Sequence, residues 1–302
     1  MSELAGKVQS ALEAIKSFNN IAQRYGGYYL AFSGGKDSVV CKTLLDMSGV
    51  KYDAHYRVTS VDPPELVRFI KEKHPDVQME IPHDANGRPI TMWSLIPQNR
   101  TPPTQLMRYC CRFLKEDGGD GRATVTGVRW AESTNRRKNQ GRVTLRGGAK
   151  IIGDDETEDF LKTKHDGLIL VNDNDESRRT IEQCVVRSKV LVNPIIDWTD
   201  AEVWEFIRSE GIPYCSLYDE GYHRLGCIGC PMGRRHGMER DFYRYPKYKN
   251  LYLMAFQKML DERAKRGLSS TKMGNTPADV YKWWLRYEEL DGQIDLLEEE
   301  GQ

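Results

Sequence analysis

Six consecutive residues, Ser33-Gly34-Gly35-Lys36-Asp37-Ser38, set two glycines beside a lysine, a carboxylate and two hydroxyls. That mixture is suited to holding an anion. The apolar run 28–32 precedes it and Val39, Val40, Leu44 and Leu45 follow, so the spacing predicts a turn joining a strand to a helix. Paired glycines let the backbone approach a phosphate closely, and the first N–H groups of the helix point into the turn, where the helix dipole is positive. Lys36 adds a point charge for phosphate oxygens, Ser33 and Ser38 add hydroxyl donors, and Asp37 can hold magnesium or cap the helix. A plain turn capped by a serine is the alternative use of such a segment. The spacing matches neither a Walker A loop nor Gly-x-Gly-x-x-Gly, so neither a P-loop kinase nor a dinucleotide dehydrogenase is indicated.

Cysteine is the second reactive residue type, with seven copies in the chain. Cys227-Ile228-Gly229-Cys230 is a C-x-x-C unit in a glycine-rich stretch, and Cys110-Cys111 is an adjacent pair whose members do not readily bond to each other. Together they supply four sulfurs, a set that suits an iron–sulfur cluster or a tetrahedral zinc, and the spacing does not choose between them. Two buried cysteines at a helix start would equally explain the adjacent pair. A redox role for Cys227 and Cys230 fits poorly, because such a motif belongs early in a βαβ unit. Cys41, Cys184 and Cys215 have apolar neighbours and are expected in the core. An odd number of thiols without a secretory segment argues against a disulfide framework.

The hexapeptide resembles the PP-loop of the ATP pyrophosphatases, whose usual pattern is Ser-Gly-Gly-x-Asp-Ser. The resemblance implies ATP cleavage between the α- and β-phosphates, with AMP passing to an acceptor oxygen and pyrophosphate held by the loop. It widens downstream. Residues 102–115, around Cys110 and Cys111, look like the cluster-bearing helix of the phosphoadenylyl sulfate and adenylyl sulfate reductase family. Gly127-Val128-Arg129-Trp130-Ala131-Glu132-Ser133 is similar to that family's Gly-x-Arg-x-x-x-Ser sulfonucleotide-binding stretch, and segments from Asn193 to Cys230 follow the family as well. The resemblance implies nucleotide contacts from residues 33–38, Arg129 and Glu132. It also implies a [4Fe–4S] cluster on Cys110, Cys111, Cys227 and Cys230.

Two departures refine that expectation. The reductases carry a further cysteine in a Glu-Cys-Gly-x-His motif near their C-terminus, whereas this sequence has none after Cys230. Their phosphate loop tends to be degraded, whereas this one is intact. Both point to ATP-dependent sulfur chemistry, similar to the PP-loop enzymes of DNA phosphorothioation and tRNA thiolation. The expected activity is that of an ATP pyrophosphatase and sulfurtransferase, with magnesium-ATP as substrate and Lys36, Asp37 and Arg129 as catalytic residues. The expected partners are a DNA or tRNA acceptor and a sulfur donor such as a cysteine desulfurase. Two alternatives remain: a sulfonucleotide reductase that produces sulfite, and a zinc-stabilised nucleotide-binding regulator without catalytic activity.

The elements that must position these residues follow from periodicity. Leu4, Val8, Leu12, Ile15, Phe18 and Ala22 predict an amphipathic N-terminal helix. Strands are expected at 28–32, near 52–59, at 77–81 and at 123–128, with a helix between Asp62-Pro63-Pro64-Glu65 and His74-Pro75. This alternation implies an α/β fold: a parallel sheet with helices on both faces, whose ligands lie beyond the carboxyl ends of the strands. The loop and Arg129 should therefore converge. Residues 134–190 read as an insertion of loops and a hairpin within a nucleotide-binding domain at 1–235, and residues 236–302 as a helical appendage. Thr199 with Glu202 three residues on predicts a helix start.

Composition limits the remaining choices. The 302 residues are 39% hydrophobic and 29% charged with zero formal net charge, so no global field draws the protein to a polyanion. No apolar stretch reads as a membrane span or signal peptide, and a cytoplasmic location is expected. Local charge differs from the average. Arg129, Arg136, Arg137, Lys138, Arg142 and Arg146 precede the acidic Asp154, Asp155, Glu156, Glu158 and Asp159, and Arg234, Arg235, Arg240 and Arg244 form a second basic run among aromatic residues. Each run is either a solvated face or a set of phosphate contacts.

Overall fold

The short apolar strand β1 (Tyr28–Ala31) lies between β2 (Tyr52–Arg57) and β4 (Thr124–Val125), and it runs parallel to both. The computed structural model describes residues 3–116, 118–147, 158–163, 166–185, 188–268 and 272–285; Asp154, Asp155 and Glu156 lie outside them. Leu30 pairs with Ala54 on one side and Val125 on the other, and all three are buried. Strands covered on both faces are apolar throughout rather than alternating, which explains the continuous run at 28–32.

Eight strands form one sheet in the order β3-β2-β1-β4-β8-β5-β7-β6. The others are β3 (Gln78–Glu80), β5 (Val143–Arg146), β6 (Phe160–Lys162), β7 (Leu168–Leu170) and β8 (Lys189–Val192). β8 is parallel to β4, and the ladder then reverses, with β5, β7 and β6 all antiparallel to their neighbours. The α/β sheet expected from the sequence is therefore parallel through β2, β1, β4 and β8, and the 134–190 insertion widens it with three antiparallel strands. β6 ends the sheet as an edge strand, and its consecutive residues Leu161 and Lys162, whose side chains point to opposite faces, are both exposed. Helix Asp175–Val185 leads the chain from this extension back to β8.

Helix starts follow their local signals. Thr199 and Glu202 form a complete capping box for helix Asp200–Ser209, and helix Pro64–Lys73 opens on a proline, whose missing N–H costs nothing in the first turn. The N-terminal segment differs from expectation. It forms two helices, Glu3–Ser17 and Asn19–Arg24, interrupted at Phe18, which leaves the helical region at φ −99° and ψ 6°.

The chain packs as two compact units. The first comprises Met1–Tyr56, Glu65–Glu80 and Gly118–Leu225 and holds the sheet. The second comprises Arg57–Pro64, Ile81–Asp117 and Gly226–Gln302. Its core includes Leu95, Ile96, Leu114, Phe242, Phe256 and Trp284, with helix Pro246–Lys265 packed on helix Met92–Asn99. Trp284 is 2% exposed and donates to Pro103 O, and its neighbour Trp283 packs partly buried against the same cluster. Among the described residues no helix is long and apolar enough to cross a membrane.

Candidate functional site

The loop at 33–38 leaves β1 at its carboxyl end and enters helix Lys36–Ser48 through Gly35. Gly34 adopts φ +72°, and a Cβ there would stand 2.7 Å from Leu66 Cδ1 and 2.9 Å from Ile70 Cδ1. Only glycine meets both demands. The hydroxyls brace the turn: Ser33 Oγ donates to Ser38 Oγ at 3.2 Å, and Ser38 Oγ donates to Gly35 O at 2.9 Å. Lys36 is 3% exposed, and its ammonium lies 3.4 Å from Asp37 Oδ2 and 3.5 Å from Asp200 Oδ1. Its backbone N–H donates to Tyr218 Oη at 2.8 Å. Burial holds the Tyr218 phenol above its ordinary range, so the acceptor is a neutral hydroxyl.

Arg129 arrives from the segment beyond β4 and is 2% exposed. Its Nε donates to Asp37 Oδ1 at 2.7 Å, one terminal nitrogen donates to Asp200 Oδ1, and the other to Trp198 O at 3.2 Å. Gly127 permits this approach, since a Cβ there would lie 2.9 Å from that of Asp37. Burial alone would raise the Asp200 carboxyl, but the Arg129 hydrogen bond and the Lys36 charge outweigh it and hold the group below its ordinary value. The structure thus joins Lys36, Asp37 and Arg129 in one knot. The guanidinium that the sequence directs at a ligand phosphate is engaged by two carboxylates and a carbonyl. Glu132 accepts from Arg129 N at 3.3 Å and from the Arg136 guanidinium, and it lies 3.5 Å from Arg224. In the first basic run, Arg142 is likewise spent internally, on Pro194 O and Asp197. Sequence reasoning missed Asp200 and Tyr218. The only local signal at Asp200 is its place in the first turn of a capped helix.

The four proposed metal ligands all lie in the second unit. Cys110 and Cys111 close the short helix Tyr109–Cys111, which continues as the π-helical segment Arg112–Glu116. Cys227 and Cys230 flank a turn in which Gly229 adopts φ +70°, where a Cβ would stand 2.4 Å from the Phe242 ring. The turn is tied down by Ile228 N donating to Val61 O at 2.7 Å and Gly229 N donating to Asp241 Oδ2 at 3.0 Å. All four thiols are free and half-buried, whereas Cys41, Cys184 and Cys215 are fully buried, as expected of core residues.

The four thiols share one electrostatic environment. The hydrogen bond between Cys110 and Cys111, with Arg108 and Lys115 nearby, draws the Cys111 thiol down to about 5, and the same bond holds Cys110 well above the ordinary thiol range. Cys227 and Cys230 add to the rise at Cys110. Arg108 donates to Cys111 Sγ at 3.6 Å, and the Cys227 charge raises Lys115, whose ammonium hydrogen-bonds that sulfur. Cys227 Sγ also lies within hydrogen-bond distance of Thr59 Oγ1, at 3.5 Å. Among the described residues no three Cys, His, Asp or Glu side chains lie close enough to hold a single metal ion. A tetrahedral zinc with bonds of about 2.3 Å would need its sulfurs within roughly 4 Å of one another. The all-cysteine, cation-flanked donor set fits an iron–sulfur cluster in its chemistry.

Comparison with known proteins identifies the family. The phosphoadenosine phosphosulfate reductase domain matches residues 27–232, more than half of the chain. The chain belongs to the phosphoadenosine phosphosulfate reductase family. The family match spans the loop, Arg129 and all four cysteines. An uncharacterized protein of Methanocaldococcus jannaschii is 24% identical over 238 residues, covering 74% of this chain and 40% of that protein. Adenosine 5'-phosphosulfate reductase of Oceanobacillus iheyensis is 41% identical over 61 residues, 16% of this chain and 25% of the relative. The chain thus spans two fifths or less of the length of these relatives. The crystal structure of phosphoadenylyl-sulfate reductase from Candida auris, a phosphate complex, aligns with a TM-score of 0.40 at 13% identity over 75% of this chain and 96% of that one.

Proposed function

We propose that this family member binds magnesium-ATP on the 33–38 loop, cleaves it between the α- and β-phosphates, and adenylates an acceptor for sulfur transfer. One observation carries the reading. At a helix N-terminus of the first unit, a buried ammonium and a carboxylate clamped by a buried arginine adjoin a loop that only glycine can shape. The Lys36 ammonium and the loop amides stabilise charge developing on pyrophosphate, the preorganised electrostatics on which phosphoryl transfer depends. Asp37 would hold magnesium through Oδ2, while Arg129 fixes Oδ1 and so acts as a positioning residue.

Cys110, Cys111, Cys227 and Cys230 would hold a [4Fe–4S] cluster, which supplies thiophilic iron to which sulfur can bind. Arg108 and Lys115 offset the thiolate charge of that set. A nucleic-acid acceptor, DNA or tRNA, is supported by helix Arg234–Arg244, where Tyr243 is 92% exposed between Arg240 and Arg244. An exposed ring among cations suits base stacking beside phosphate contacts. A cysteine desulfurase is a donor of the class this chemistry requires. The second reading, reduction of a sulfonucleotide to sulfite with thioredoxin, is favoured by the family match itself.

Anaerobically purified protein assayed with ATP and candidate acceptors separates these readings. Pyrophosphate release together with iron and labile sulfide is expected. Phosphate release alone, or no ATP cleavage with any acceptor, overturns the ATP pyrophosphatase assignment. Sulfite formation from adenylyl or phosphoadenylyl sulfate would establish the second reading, and zinc without iron would favour the non-catalytic regulator.

A further inference from the structure

The Lys36 N–H is the first amide of helix Lys36–Ser48, one of the four that no carbonyl of the same helix can accept. Amides of this kind are what a phosphate takes at a helix N-terminus. Here the Lys36 N–H is already given to Tyr218 Oη, 182 residues away in sequence. The same hydroxyl stands 3.4 Å from where a Gly35 Cβ would be, so it covers the backbone that the paired glycines leave open to an anion. An amide has one hydrogen to give, and a phosphate oxygen and the tyrosine oxygen contend for it.

We propose that Tyr218 is an internal competitor for the phosphate cradle, whose hydroxyl an oxygen of pyrophosphate must displace from the Lys36 N–H. The proposal rests on the reading of the 33–38 loop as a pyrophosphate site. The tyrosine is held in place by its surroundings. Its ring meets Trp204 edge-on at 5.1 Å, Trp204 meets Tyr214 at 5.1 Å, and Tyr214 Oη donates to Asp219 Oδ1 at 3.0 Å. It closes the turn Ser216–Tyr218, and Gly221 just beyond adopts φ +84°. A phosphate oxygen is charged and the phenol is neutral, and hydrogen bonds to charged acceptors are roughly twice as strong, so the anion can win. Tyr218 thereby raises the concentration of anion needed to fill the loop. A ligand that engages Lys36 directly and Asp37 through magnesium can offset that penalty, whereas a lone phosphate without magnesium lacks the contact to Asp37.

Tyr218→Phe keeps the ring and removes the oxygen. Calorimetric titration of the full chain with magnesium pyrophosphate should show tighter binding by the variant, by about 2- to 10-fold, the equivalent of one modest hydrogen bond. Without pyrophosphate the variant should melt below the wild type, and the gap should narrow at saturation, where the wild-type hydroxyl has also lost the amide. Equal or weaker binding by the variant overturns the competitor while leaving the cradle standing. If neither folded protein binds pyrophosphate or ATP, the cradle itself fails and the competitor with it. Should the variant not fold, nuclear magnetic resonance of the wild type decides. Pyrophosphate should shift the Lys36 amide and the Tyr218 ring with one midpoint, and movement of the amide alone would overturn the proposal.

Discussion

Lys36 is 3% exposed, and its side-chain nitrogen has Asp37 and Asp200 within 3.5 Å. Its removal leaves both carboxylates to Arg129, so the fold should survive. Lys36→Met is expected to lower pyrophosphate release from ATP by about 10²-fold or more, the usual loss when one preorganised electrostatic contact disappears. Circular dichroism should show an intact fold, and wild-type turnover in the variant would remove Lys36 from the chemistry. A second side chain carries a pH effect. His74 is buried between the edges of Phe32 and Phe69. Burial first, and Lys42 second, hold its imidazole below the ordinary 6.5, against the opposing pull of Asp76 and Asp46. The folded state therefore resists protonation more than the unfolded state does. The associated stability is present above pH 6.5 and is lost as pH falls from there through the folded-state value. Denaturant melts at a series of pH values should show that decline, and His74→Phe should flatten it.

Two glycine turns shape the 33–38 loop and the 227–230 segment, and each is dictated by what packs behind it. In the phosphate loop, helix Pro64–Lys73 presses Leu66 and Ile70 against Gly34, so a methyl group would collide while the backbone remained at positive φ. Gly34→Ala should cost about 1–2 kcal/mol from φ alone, with the collision added. Its larger effect should fall on function, as loss of measurable ATP binding in a protein that still unfolds cooperatively. Retained affinity would show that the loop tolerates another shape. Helix Asp200–Ser209 has a similar double use: its capping box sets where it begins, and that start places Asp200 on both Arg129 and Lys36.

The phosphate loop and the four cysteines fall in different compact units, each with its own core. A change confined to the thiol set should leave the other centre's ligand affinity intact. Cys111→Ser is expected to abolish iron loading in anaerobic preparations while pyrophosphate affinity stays within about twofold, since no loop residue loses a partner. Parallel loss of iron and of pyrophosphate binding would show that the metal centre supports the loop's structure.

Local sequence was sufficient wherever a few neighbouring residues set the outcome. The strand-turn-helix at 28–45, the Thr199 capping box and the C-x-x-C turn at 227–230 each depend on glycine conformation, side-chain capping or hydrophobic period over a handful of positions. The family resemblance added the likeness of Arg129 to a ligand-binding position. What Arg129 touches, however, was decided by tertiary structure, as were the roles of Asp200 and Tyr218, neither of which has a local signature. Those partners lie 71 and 182 residues from the groups they meet. They come together because β1, β4 and β8 run parallel and send the segments after them to the same end of the sheet. Such pairings depend on sheet order, a long-range property that no local periodicity encodes.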